Sequence, residues 1–581
     1  MIVEQHEIGD HALLGDGRTA ALVDPSGNVA WLCWPRIDSP PCLLSILDPA
    51  RGGHFVVAPA DDAAEVVERG YVPGTLVLRT VWQYGGARLT VLDGLACDGP
   101  ARLVRLLHST HRVEVVTRVA MAPDAARSDA HVDTAGGVLH VTGAGLDLVV
   151  RAPSPWTVTG DGGAVARFSV DPAGCAVVLG DAEGIAAEPA LEPTLAWFAE
   201  RTSAVSSVAV SPLAAAAIGE ETARALLHQG AAVLAGLRQR GGGIVAAPTT
   251  SLPQWPGGSR TWDYRYSWLR DSALAGIAML RAGLLADAAG VGAFIGEATT
   301  ALPPAVLLRV DGTVPPAETT LDHLAGYRGA RPVRIGNAAA TQPQLDVAGE
   351  VLTFAAALAQ HDALPATLRE GVARVADWTA QRWRSADHGI WEIRGEPRVY
   401  THSRVMAWTG LVRAAQMCEA GVISGAAAQW RRAAAEVREA VLARAGPLQL
   451  HESGGGPDAA LTEAILFGFV GADDPRARAT LAAIETGLDR NGLLDRHDPA
   501  EDASAEPCGA FLFPTFWMAE ALHLAGLDGS RHFAAAVAAR GSVDLFGEVA
   551  DPARRTPLGN YPQVQSHAAF IIAATLAREV G

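Results

Sequence analysis

Two glutamates stand where acid–base chemistry is most readily placed. Glu392 lies in "DHGIWEIRGEPRVYTHSRVMAW" (residues 387–408), directly after Trp391 and among basic and aromatic residues. A loop ordinarily turns its charges into water, so this crowding suits a carboxyl group shielded from solvent. Burial against an indole raises a carboxyl pKa toward the range in which a general acid works. Glu548 lies in a second long loop, "SVDLFGEVADPARRTPLGNYPQVQSHAAF" (residues 542–570). A carboxylate facing the first would complete the pair that cleaves glycosidic bonds. Read singly, each is one of 63 acidic residues, and Glu392 has surface partners at hand in Arg394 and Arg398. Spacing along the chain does not bring the two together.

A third stretch, "SRTWDYRYSWLRDSALAG" (residues 259–276), sets Trp262, Tyr264, Tyr266 and Trp268 beside Arg265, Arg270, Asp263 and Asp271. Flat aromatic faces next to planar donors and carboxylates match a sugar, which offers C–H faces and a ring of hydroxyls. Arginine–aromatic stacking between domains gives the same composition. His402, in "YTHSRV", fits either a pocket donor or a hydrogen-bonded structural residue. No two histidines pair at ligand spacing on a predicted helix, so no metal site is expected.

The elements that must position these residues fall into two halves. From about residue 18 to 185, short apolar runs rich in β-branched residues alternate with turns such as "PSGN", "YGGA" and "GDGG", the pattern of an antiparallel β-sandwich. From about residue 190 the period becomes helical. "TLAWFAERTSAV" and "ETARALLHQGAAVLAGLRQR" come first, the latter stopped by Gly241–Gly243. About a dozen helical segments are predicted between residues 219 and 581. Helices in hairpin succession with polar, aromatic loops suggest a helical barrel or toroid, although periodicity alone fits a general bundle too.

Bulk composition narrows the function. The chain of 581 residues is 49% hydrophobic and 19% charged, which suits a folded protein with a large core. It contains no lysine, so all 46 basic residues are arginine. That excludes a lysine Schiff base and a phosphate-binding loop of the usual kind. A net charge of −17 makes nucleic acid and anionic membranes poor partners. No apolar run approaches the ~20 residues of a spanning helix, and the start of the chain does not read as a signal peptide. Six scattered cysteines read as thiols rather than a disulfide framework. A cytoplasmic protein without cofactor is expected.

The chain as a whole resembles glycoside hydrolase family 15, the glucoamylase, glucodextranase and bacterial trehalase group. The resemblance rests on "IGDHALLGDGRTAALVDPSGNVAWLCWPRIDSPPCLLSILDPARGGHF", "IVAAPTTSLPQ", "TWDYRYSWLRDSAL", "RPVRIGNAAATQPQLDVAGEVL", "GIWEIRG" and "PLGNYPQVQSH", in that order from near residue 8 to near residue 570. It implies an N-terminal β-sandwich (1–190), a helical linker (191–250) and a catalytic (α/α)6 barrel (251–581). It also implies an inverting mechanism, with Glu392 as general acid and Glu548 as general base, their carboxyl groups roughly 6.5–9.5 Å apart to admit a water. By the same pattern Arg270 and Asp271 hold a terminal glucose, Asp346 and Arg496 make further sugar contacts, and Trp268 and Trp391 form pocket walls.

The chain departs from the family pattern in places. Cys508–Gly509 stands where a glutamate–glycine is usual, and Pro514–Trp517 replaces a Cys-Ser-Phe-Trp run. Gln565 takes an aromatic position, and Gly547 that of a small polar residue. Both carboxylates are kept, so the resemblance still implies an exo-acting α-glucosidase on a small carbohydrate, trehalose or a malto- or isomalto-oligosaccharide, releasing β-glucose. The alternatives are a tailoring enzyme for a glycosylated small molecule and a binding protein that has lost the reaction. A barrel with a sandwich attached also offers surface for pairing into a homo-oligomer.

Overall fold

The computed structural model describes residues 4–160, 162–502 and 506–575. Three antiparallel sheets occupy the first 180 residues. An eight-stranded sheet has His131–Ala135 at one edge and Glu65–Tyr71 at the other, and a four-stranded sheet centres on Ala164–Val170 and Val113–Ala120. Their strands alternate buried and exposed positions, as in Ala164–Val170, because one face meets the core and the other meets water.

The sheet formed by Ala12–Gly15, Ala20–Val23, Val29–Cys33 and Pro41–Leu43 behaves differently. Every residue in it is buried. It is wedged against the helical half. Gly17 N donates to Gly236 O at 3.0 Å, and the Trp31 indole donates to Pro248 O at 2.8 Å. Covered on both faces, its strands read as continuous apolar runs, and for that reason the sequence did not separate them from the sandwich.

Beyond Glu192–Thr202 and Pro212–Ile218, twelve helices are described between residues 219 and 575. Six form an inner ring in which each packs on the next: Leu269–Arg281, Asp346–Gln360, Thr401–Glu419, Glu463–Leu466, Leu512–Leu524 and Val564–Ala574. The last closes the circle by packing on the first. The other six, Glu220–Leu237 among them, lie outside, which makes an (α/α)6 barrel.

The run "DSALAGIAMLRAGLLADAAGVGAFIGEATT" reads as continuous helix but breaks at Gly283, whose φ is +85°. A Cβ there would sit 2.7 Å from that of Ala204, so a glycine makes the turn from inner to outer helix. No helix among the described residues is long and apolar enough to cross a membrane. All six cysteines are free thiols.

Candidate active site

A cavity of about 230 Å³ opens at one end of the ring. Arg270 and Asp271, Phe513, and Gln565 reach its wall from the first turns of three inner helices. Helix N-termini favour negative charge, which suits a site holding several carboxylates.

Glu392 comes from the loop between Ala366–Arg382 and Thr401–Glu419, pinned at its base by paired backbone bonds between Asp387 and Arg398, both 2.8 Å. Its φ is +54°, a left-handed conformation that a glutamate adopts at a cost of ~1–3 kcal/mol and that the surroundings must enforce. Three donors converge on Oε1: the Trp268 indole at 2.7 Å, Gln344 Nε2 at 3.1 Å and the Arg270 guanidinium at 3.2 Å. Among the described residues no hydrogen bond engages Oε2. The indole at this carboxyl is therefore Trp268 and not the preceding Trp391. Side chains diverge at a left-handed residue, and Trp391 donates instead to Asp458 Oδ1 at 2.8 Å and packs on Phe511 and Phe513 as part of the cavity wall.

Glu548 immediately precedes the strand Val549–Ala550 of a small five-stranded sheet, next to Ala510–Phe511. Tyr264 donates its hydroxyl to Oε1 at 2.5 Å. A Cβ on Gly559 would stand 2.7 Å from Oε2, so the glycine of "PLGNYP" makes room for the carboxyl. Burial pushes the Glu548 pKa up to about 7, against the pull of hydrogen bonds from Tyr264 and Gln254 and of the Arg496 charge. The N-terminal half braces the chain on both sides of Glu548, since Gly9 O accepts from Ser542 N at 2.9 Å and from the Tyr561 hydroxyl at 3.5 Å. Tyr264 also packs edge-on against Trp268, ring centres 5.5 Å apart, so one aromatic pair links the supports of both carboxyls.

Arg270 is buried and bonds Gln344 at 2.8 Å and Asp346 Oδ2 at 3.1 Å as well as Glu392. Its Nε lies 3.6 Å from Asp271 Oδ2, near enough to pair in charge but too far to hydrogen-bond. Both atoms, together with Gln565 Nε2, are buried and have no hydrogen-bond partner. Burial raises the Asp271 pKa to about 6 against the opposing charge of Arg270. Unmet donors and acceptors on one wall, with tryptophan faces beside them, suit a polyhydroxylated ligand.

Seven of the residues singled out in the sequence line this cavity: Glu392, Glu548, Arg270, Asp271, Trp268, Trp391 and Arg496. Two stand behind it. Asp346 is fully buried and faces Arg270, so it meets the cavity only through the guanidinium. His402 turns inward, its Nε2 2.7 Å from Glu463 Oε2, in a buried cluster with Glu350 whose candidate ligand atoms lie within 4.8 Å of one another. Burial lifts the pKa of Glu350 and Glu463 well above the usual carboxylate range. Tyr264 was named only within the aromatic stretch, without a role, and Gln344 and Gln254 were not singled out. Only Tyr264 had a signal, its place in the aromatic stretch, whereas the glutamines are visible only once the loops are folded.

Two carboxyls presented to one sugar-sized cavity at the end of an (α/α)6 barrel define a glycoside hydrolase. The chain belongs to family 15 of the glycosyl hydrolases, whose model matches residues 221–538, and a trehalase-like N-terminal model matches residues 3–192. A trehalase of Mycolicibacterium smegmatis is 33% identical over 97% of this chain and 90% of its own. One of Mycobacterium tuberculosis is 32% identical over 97% and 88%. A bacterial glucoamylase solved with acarbose shares the fold, with a TM-score of 0.72 at 13% identity over 98% of this chain and 94% of that one.

Proposed function

We propose that this protein is an exo-acting, inverting α-glucosidase whose substrate is trehalose. The observation that carries the chemistry is the unequal support of two carboxyls in one cavity: Glu392 anchored through one oxygen, Glu548 enclosed and held by a tyrosine. The trehalases named above support the choice of substrate. Glu392 gives its proton to the glycosidic oxygen as the bond to the anomeric carbon breaks. Glu548 takes a proton from a water that attacks this carbon from the opposite face, so the new hydroxyl is β. Arg270, Asp271 and Gln565 bind hydroxyls of the terminal glucose whose anomeric carbon is attacked, while Trp268 and Trp391 flank the ring.

Proton NMR of a fresh digest of trehalose tests this reading. Equal amounts of β- and α-glucose are expected at first, one from each half of the disaccharide, before mutarotation mixes them. Exclusive α-glucose would overturn inversion, and cleavage of maltotriose or isomaltotriose alone would overturn the substrate.

The state of Glu548 sets the pH dependence. Attack needs it ionised, so kcat/KM should fall as pH drops through about 7. The Tyr264 hydrogen bond favours the ionised form, and Tyr264→Phe should therefore move this acidic limb to higher pH. A limb that stays in place would remove Tyr264 from control of the base.

A further inference from the structure

Arg394 follows Glu392 by two residues, at the point where the loop leaves the protein surface: residues 394–398 are all exposed. Its guanidinium is nonetheless fixed on two sides. It grips Glu318 with both nitrogens, at 3.1 and 2.6 Å, and lies 4.1 Å from the centre of the Trp262 ring. Glu318 is itself held by Arg334 at 3.2 Å and by the backbone N–H of Ala338 at 3.1 Å. Arg334 also lies over Trp262, at 4.5 Å, and donates to the carbonyls of Ser259 and Thr261, both at 3.0 Å. One carboxylate and one indole thus join two guanidiniums and three chain segments beside the cavity. Trp262 and Arg394 both line that cavity. A bidentate arginine–carboxylate pair fixes direction as well as distance, and an indole face adds to it.

We infer that Arg394 is a positioning residue for the reaction. Clasped to Glu318 and Trp262, it holds the left-handed turn at Glu392 so that the acid carboxyl reaches the glycosidic oxygen. The inference rests on Glu392 being the acid. Among the described residues, Arg394 alone of residues 394–397 makes a side-chain hydrogen bond, and just before it His388 Nδ1 lies 2.9 Å from the Ile393 carbonyl oxygen, while the turn itself is strained and needs enforcement. Misplacement of a reacting group by about 1 Å costs on the order of 10²-fold in rate.

The test compares two substrates. Trehalose needs its leaving oxygen protonated, whereas α-glucosyl fluoride releases fluoride without an acid. Arg394→Met and, independently, Glu318→Gln should each lower kcat on trehalose by about 10–100-fold with little change in KM. Both should hydrolyse α-glucosyl fluoride within about twofold of the parent enzyme, and circular dichroism melting should show both folded. Loss on both substrates together would overturn the inference, since a general structural defect slows any turnover. A raised KM for trehalose at unchanged kcat would also overturn it and make Arg394 a sugar contact. Glu392→Gln on the same pair separates this failure from failure of the underlying reading. If that variant loses the fluoride as well, Glu392 is not the acid and the inference falls with it. If it loses trehalose only, the acid stands whatever Arg394 does.

Discussion

Glu392→Gln should lower kcat on trehalose by about 10²–10⁴-fold, and Glu548→Gln by at least as much, but the two should part on α-glucosyl fluoride. The fluoride leaves unaided, so the glutamine at 392 is tolerated there. Water must still be activated, so the glutamine at 548 is not. The partition assigns the roles directly. Fluoride turnover by Glu548→Gln but not by Glu392→Gln would exchange acid and base. The buried Glu548 carboxyl has a second signature. Its folded pKa, about 7, stands above the ordinary carboxylate value, so the protonated form is the one that suits the folded protein. The resulting stability is full below the unfolded pKa and is lost as pH rises through about 7. Glu548→Gln removes that loss and should be more stable than the parent above pH 7, by up to roughly 3 kcal/mol, which thermal unfolding would read as a higher melting temperature. An inactive variant that is also no more stable would place the Glu548 charge in a better-solvated site than its burial implies.

Arg270→Met should be the most damaging change in the barrel. The guanidinium faces Asp346, Asp271 and Glu392, and removing it leaves carboxylates in a buried site without their cation, at a cost of about 3–5 kcal/mol. Activity and melting temperature should fall together. The double variant Arg270→Met, Asp346→Asn should recover part of the stability and none of the activity. Asp346 is fully buried and off the cavity wall, so its charge needs Arg270 structurally, whereas nothing replaces the guanidinium that Arg270 presents to the cavity. Full additivity of the two changes in thermal unfolding would refute the coupling.

How legible this was in the sequence depended on what each feature needs. The long barrel helices announce themselves because one face of each must be apolar over three or four turns. Glu463–Leu466 completes the inner ring with four residues, too few for any period to show. The first sheet lacks alternation because both its faces are covered. The carboxyls themselves lie in loops whose composition marks them, and motif order along the chain pointed to both. Their surroundings were less readable. Trp391 stands next to Glu392 in sequence, yet Trp268, more than a hundred residues earlier, touches it. His402 and Asp346 sit at helix starts like Arg270, but rotation about the helix axis turns them behind the wall, and no pattern in one chain reports that angle.

The ring closes between Leu269–Arg281 and Val564–Ala574, and this has a consequence for the order of events during synthesis. The wall that receives the sugar draws Arg270 from the first inner helix and Gln565 from the last, with Glu548 between the final two. A nascent chain can pair the strands of its eight-stranded sheet and of the four-stranded sheet around Val113–Ala120, which end near residue 180, long before the later helices have left the ribosome, whereas the first sheet waits for the helical half that covers it. The proposed catalytic centre cannot assemble in the same way, piece by piece, because its two carboxyls are 156 residues apart and its circle is shut only by the sixth inner helix. Until that helix docks, the proposed site is incomplete, and activity should appear abruptly once Val564–Ala574 has taken its place in the ring.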